Sequence, residues 1–156
     1  MRRIKFKAKC LGNDEWVKGY FYEECNNSYI IEDRQSESML NHNLPTKVDP
    51  ATVCQFTGFH DKNGKEIYEG DVLRSDEYPY SCIKDNKRDN YFGIVFYSEE
   101  EASFFMKVVK NPGSGVELIT DGVSDYIWQG KLMVFEVIGN IHEEEWKQYG
   151  EYFQAE

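Results

Sequence analysis

The sequence predicts a mainly β protein, a roll or small barrel with little helix. Three observations carry that expectation. Short apolar segments recur along the 156 residues, each bounded by Gly, Asn, Asp or Pro turn signals. Aromatic residues are abundant, with Tyr 11, Phe 10 and Trp 3, and flat rings pack well on a pleated surface. No helical pattern alternates with the strand-like segments, so a parallel βαβ sheet is excluded.

The elements follow in order. Residues 3–8 alternate basic and apolar (Arg3, Lys5 and Lys7 against Ile4, Phe6 and Ala8) and predict a first strand with one wet face. Gly12-Asn13-Asp14 is a turn leading into a second strand, Trp16 to Glu23. Asn26-Asn27 turns the chain into a third, Ser28 to Asp33. Residues 34–50 are polar and irregular, with Pro45 and Pro50, and read as a linker. Asp49-Pro50 is suited to opening one helical turn.

Val53 to Phe59 reads as a strand, and Asp61-Lys62-Asn63-Gly64 as a hairpin turn. Ile67-Tyr68 is the returning piece, and Glu69-Gly70-Asp71 is a tight corner into Val72-Leu73. Residues 75–90 form a charged, tyrosine-rich excursion. Tyr91 to Tyr97 is apolar on both faces and therefore central. Ser103 to Val109 and Val116 to Ile119 are further strands, with Asn111 to Gly115 a loop between them. Lys131 to Ile141 is the last strand, with Phe135, Val137, Gly139 and Ile141 on one face and Glu136 and Asn140 on the other. Glu143 to Phe153 spaces Trp146, Tyr149 and Phe153 as a short helix would.

Composition limits the function classes. Hydrophobic residues make up 40%, enough for a core. The formal net charge is -10, which disfavours nucleic acid, because phosphate binding depends on Lys and Arg displacing counterions. The basic cluster Arg2, Arg3, Lys5, Lys7 and Lys9 is explained by the wet face of the first strand, with a nucleic-acid arm as the alternative. Cys10, Cys25, Cys54 and Cys82 form no CxxC pair, so no zinc ribbon or thioredoxin-like motif is present. They are expected as free thiols packed like small hydrophobes. The basic N-terminus lacks the apolar centre of a signal peptide, and no apolar run reaches membrane-spanning length. A soluble, intracellular protein is expected.

Candidate chemistry is sparse. Asp61, Glu66, Glu69 and Asp71 form a carboxylate cluster, but its spacing is not that of a calcium loop, and turn chemistry accounts for it. His42, His60 and His142 lie at no ligand spacing and beside no nucleophile motif. Gly113-Ser114-Gly115 lacks the pattern of a nucleophile elbow or phosphate cradle. Catalytic, metal and cofactor-binding residues are therefore expected to be none. Tyr78, Tyr80 and Tyr91 surround the excursion that also holds Lys84, Lys87 and Arg88, an arrangement suited to contacts with protein or single-stranded nucleic acid.

Gln55-Phe56-Thr57-Gly58, then Asp61, Gly64, Ile67-Tyr68-Glu69-Gly70-Asp71-Val72, and later Val137-Ile138-Gly139-Asn140-Ile141, resemble the YopX-like family of phage and prophage proteins. Ile4-Lys5-Phe6-Lys7-Ala8 and Val48, Pro50, Thr52 and Val53 extend the resemblance over most of the chain. It implies an SH3-like barrel or roll, which the segment pattern above places over residues 51–156 with a short C-terminal helix, after a β-meander and linker over 1–50. It also implies a phage or prophage origin and the cytoplasm of a host bacterium. It brings no catalytic or binding residues. The functional expectation is a non-enzymatic module for protein–protein contacts, including a homo-oligomer. The alternatives are a nucleic-acid module, an acidic DNA mimic built on Glu99–Glu101 and Glu143–Glu145 and acting on a host protein, or an enzyme with an unrecognised site.

Overall fold

A computed structural model of the chain describes residues 3–32, 44–75, 83–84, 87–88, 90–111, 117–119 and 135–147. The chain forms two compact units, Met1–Gly58 and Phe59–Glu156.

The first unit holds β1 (Phe6–Lys9), β2 (Trp16–Glu24), β3 (Asn27–Glu32), β4 (Pro45–Val48) and most of β5 (Cys54–His60). They pair in the order β4-β3-β2-β1-β5. The β2–β3 connection is a two-residue hairpin, with Cys25 and Asn26 both at positive φ (49° and 60°). That is the twist a two-residue hairpin favours, and Asn tolerates it. The turn thus sits one residue earlier than Asn26-Asn27.

Alternation along the strands builds the core. Ala8, Ile30 and Val48 are fully buried, with Phe6, Val17, Phe21 and Val53 packed against them. The Phe6 and Phe21 ring centroids lie 5.4 Å apart. Burying Ile30 and Val48 is worth about 1.5–3 kcal/mol each.

β4 falls inside the segment read as linker. Its Pro45 is the first residue of an edge strand, the position where a missing N–H costs no ladder bond. The expected helical turn follows as a 3-10 turn over Pro50–Thr52. The Asp49 carboxylate accepts from Ala51 N (3.0 Å), and Thr52 Oγ1 accepts from Lys9 N (2.9 Å). Asp49 N in turn donates to Lys9 O (2.9 Å), and a single bridge joins Cys10 to Val48. The sheet therefore curls at this corner.

The second unit holds β6 (Glu66–Tyr68), β7 (Asp71–Ser75), a small hairpin β8 (Ile83–Lys84) and β9 (Lys87–Arg88), β10 (Asn90–Ser98), β11 (Ser103–Asn111), β12 (Glu117–Ile119) and β13 (Phe135–Asn140). Its main sheet is antiparallel, with order β12-β11-β10-β7-β13. β7 and β10 are interior and apolar on both faces: Val72, Leu73, Ile94 and Val95 are all buried. β10 and β11 pair in unbroken register from Asn90↔Asn111 to Ser98↔Ser103.

β13 departs from simple alternation. Its register against β7 shifts between Val137 and Gly139, so Ile138 is an inserted residue. Asn140, expected on the outer face with Glu136, is instead 1% exposed. Among the described residues the main sheets are open and antiparallel, and no closed barrel forms. The expected C-terminal helix lies mostly outside the described residues; Lys147 N donates to Glu143 O (3.0 Å) just before that limit. The Lys131–Val134 start of the last strand, the 112–116 loop and His42 also lie outside. No helix among the described residues is long and apolar enough to cross a membrane.

Candidate functional site

The motif residues converge on two buried carboxylates. Asp61 ends the β5 side of the hairpin. Its Oδ1 accepts from Asn63 N (2.8 Å) and Lys65 N (2.9 Å), which folds the turn around Gly64. Its Oδ2 accepts from Val137 N (3.0 Å), 76 residues away. Next to it, Lys62 N donates to Phe135 O (2.8 Å). β13 is the terminal strand of its sheet, so the Asp61 turn occupies an edge that would otherwise offer free backbone groups. Lys62 Nζ adds an ion pair to Glu136 at 3.0 Å.

Burial tends to raise the Asp61 carboxyl, but the backbone donors of Val137, Lys65 and Asn63, with the charge of Lys65, outweigh it. Its pKa lies below the ordinary carboxylate value.

Asp71 organises the next corner. Its Oδ2 accepts from Tyr68 N (2.8 Å) and its Oδ1 from Asn140 Nδ2 (2.9 Å). Asn140 also donates to Glu69 O (3.3 Å) and accepts from His142 N (3.0 Å). Gly70 sits at φ 73°, a conformation open to glycine because it has no Cβ. Its N–H donates to Val95 O (2.7 Å), and its carbonyl accepts from Ile141 N (2.9 Å). The Tyr68 hydroxyl donates to Glu66 Oε2 (2.8 Å), and burial with that carboxylate drives its pKa far upward.

This constellation is a structural lock. Both oxygens of Asp61 and both of Asp71 accept hydrogen bonds. No buried side-chain polar atom among the described residues is unsatisfied, and no three potential ligands cluster for a metal ion.

The other motif residues lie around it. Gln55 is half-buried in β5 opposite Phe6, and Thr57 is buried. Gly58 and Gly64 take positive φ on the exposed hairpin. Gly139 is buried, and a Cβ there would collide with the Trp146 ring. His60 is exposed at the end of β5. Tyr78 and Tyr80 lie outside the described residues, and Tyr91 lies in β10 opposite Lys110. Of the cysteines described, Cys10, Cys25 and Cys54 form no disulfide, and only Cys54 is buried.

A second constellation was not singled out in the sequence. Positions alternate across a strand, and residues directly opposite share a face. Trp16, Lys18, Tyr20 and Tyr22 of β2 therefore lie on one face. Tyr22 is opposite Tyr29, and Tyr29 is opposite Lys47. The Tyr22 and Tyr29 rings stack at 5.2 Å with 17° between planes. Lys7 Nζ lies 4.6 Å and Lys9 Nζ 5.9 Å from the Trp16 ring centre. The signal was present as a period of two in Trp16-Val17-Lys18-Gly19-Tyr20-Phe21-Tyr22, but the apolar half of that pattern dominates the reading.

Comparison with known proteins places the chain. Among solved structures it is similar to protein EF1440 from Enterococcus faecalis, 23% identical, with a TM-score of 0.51 over 93% of this chain and 97% of that one. That likeness concerns the fold. No curated protein matches the chain. Residues 4–145 match the family model described as YopX protein, which takes in both units and both carboxylate corners. The chain belongs to the YopX protein family.

Proposed function

We propose that this is a non-enzymatic binding module of phage or prophage origin that acts through protein–protein contacts, including with copies of itself. The observation that carries the reading is the use made of Asp61, Asp71 and Asn140. Their polar atoms hold the chain's own backbone and side chains. The family motif then serves architecture, and function falls to exposed surfaces.

Those surfaces include large apolar side chains left in solvent: Leu11, Tyr20, Phe59 and Tyr97. Aromatic residues of this kind are enriched where proteins meet. The sheet edge opposite β13 is β12, a three-residue strand. The SH3-like roll over residues 51–156 belongs to the same proposal, supported by the antiparallel order of the second sheet and by the family membership. Light scattering over a wide concentration range tests self-association. A mass that rises with concentration is expected, and a monomer throughout would remove it.

A further inference from the structure

We propose that the aromatic–lysine face of the first unit binds single-stranded nucleic acid, as an activity beyond self-association. Charge is divided unevenly along the chain. Residues 59–156 hold ten Lys and Arg against twenty Asp and Glu, and so carry the whole net charge of -10. Residues 1–58 hold eight of each and are neutral. The chain-wide acidity that disfavours phosphate binding is therefore not a property of the first unit.

Within that unit the charges are sorted by strand alternation. The face carrying Trp16, Tyr20, Tyr22 and Tyr29 also carries Lys18 and Lys47. Lys7 lies directly opposite Lys18, which places like charges side by side. Over β1 to β4 the alternation puts one acid on this face, Glu24, at the end of β2. Near β1 and β5 the face is closed, since Lys7 and Cys54 are buried. Over β2, β3 and β4 it is open: Lys18 and Lys47 are exposed, and Tyr20 is 49% exposed.

Unpaired bases stack on aromatic rings, and lysines beside the rings meet the phosphates. The stacked Tyr22–Tyr29 pair and the exposed Tyr20 supply rings; Lys18 and Lys47 flank them on two strands. A duplex hides its base faces and fits this surface poorly. An acidic peptide would use the lysines without the rings, so the two occupants are separable by experiment.

The test is fluorescence anisotropy of a labelled oligothymidylate of about 20 nucleotides, a length that exceeds the site of one small binding fold, titrated with the full chain at low salt. Binding is expected, with an affinity that falls as salt rises. Tyr20→Ala is expected to weaken it roughly 5- to 150-fold, the range for one lost base stack. Lys18→Glu with Lys47→Glu is expected to weaken it further and flatten the salt slope by about 0.7 per lysine. Circular dichroism confirms that each variant is folded; all three positions are exposed or half exposed. No binding at the lowest salt overturns the proposal. So does unchanged affinity in Tyr20→Ala, or displacement by polyglutamate as effective as by unlabelled oligothymidylate, because either outcome leaves a charge contact alone. Failure of this test leaves the light-scattering result for self-association untouched.

Discussion

Three backbone N–H groups converge on the Asp61 carboxylate, and this one side chain folds a turn and holds a distant strand. Asp61→Asn keeps the shape but replaces one acceptor oxygen with a donor. It is expected to cost about 2 kcal/mol, measured by urea unfolding at neutral pH. The pH dependence follows from the lowered pKa of Asp61. A carboxyl more acidic folded than unfolded stabilises the protein above its unfolded value, about 3.9. That contribution is lost as pH falls through the folded value. The gap between wild type and Asp61→Asn is therefore expected to hold from pH 7 to 5 and to shrink below about 4. Gly70→Ala adds a Cβ 3.1 Å from Ile141 Cγ1 at a φ of 73°, and about 1–3 kcal/mol of destabilisation is expected in the same assay. Asp61, Gly64 and Gly70 were legible in the sequence because turn chemistry is local. Asn140 was picked out by the family resemblance, but its burial was not legible, because its partner Asp71 lies 69 residues away.

At the scale of elements, strand identity was legible wherever apolar residues filled both faces or alternated cleanly, as in β2, β7 and β10. β4 was missed because proline and polar residues signal a loop, and only its place at a sheet edge makes them compatible with a strand. The β13 bulge was missed because nothing in Val137-Ile138-Gly139 marks Ile138 as the inserted residue. Pairing on both sides has a measurable consequence. β7 is bonded to β10 and β13, and its Val72 and Leu73 are fully buried. Hydrogen exchange is expected to be slowest in peptides spanning Asp71–Arg74 and Gly93–Val95, and fast in the exposed Gly12–Asn13 turn. Exchange in Asp71–Arg74 as fast as in that turn would contradict the central placement of β7.

Over the whole molecule, average composition concealed the most useful asymmetry. A net charge of -10 reads as uniformly acidic until it is divided at Gly58, where it separates into a neutral unit and an acidic one. The two proposed associations then respond to salt with opposite signs. Contacts among chains whose second units repel one another strengthen when salt screens that repulsion. Oligonucleotide binding weakens as counterions compete for the phosphates. Raising sodium chloride from roughly 50 to 500 mM spans Debye lengths from well above to well below 10 Å. Over that range the scattering mass is expected to increase while anisotropy decreases. A parallel response of the two signals would mean that a single surface serves both.

The bond between Asp61 and Val137 also sets an order of events on the ribosome. The strands of the first unit, β1 to β5, have been synthesised once His60 is made, so their pairing can begin early. The second unit cannot lock until Val137 and Asn140 have emerged, since they complete both carboxylate corners. At bacterial-to-eukaryotic elongation rates the wait is roughly 4–16 s. During that interval Asp61 and Asp71 are solvated side chains of an unfinished sheet. A nascent chain would thus present the first sheet's aromatic–lysine face before the acidic unit has closed.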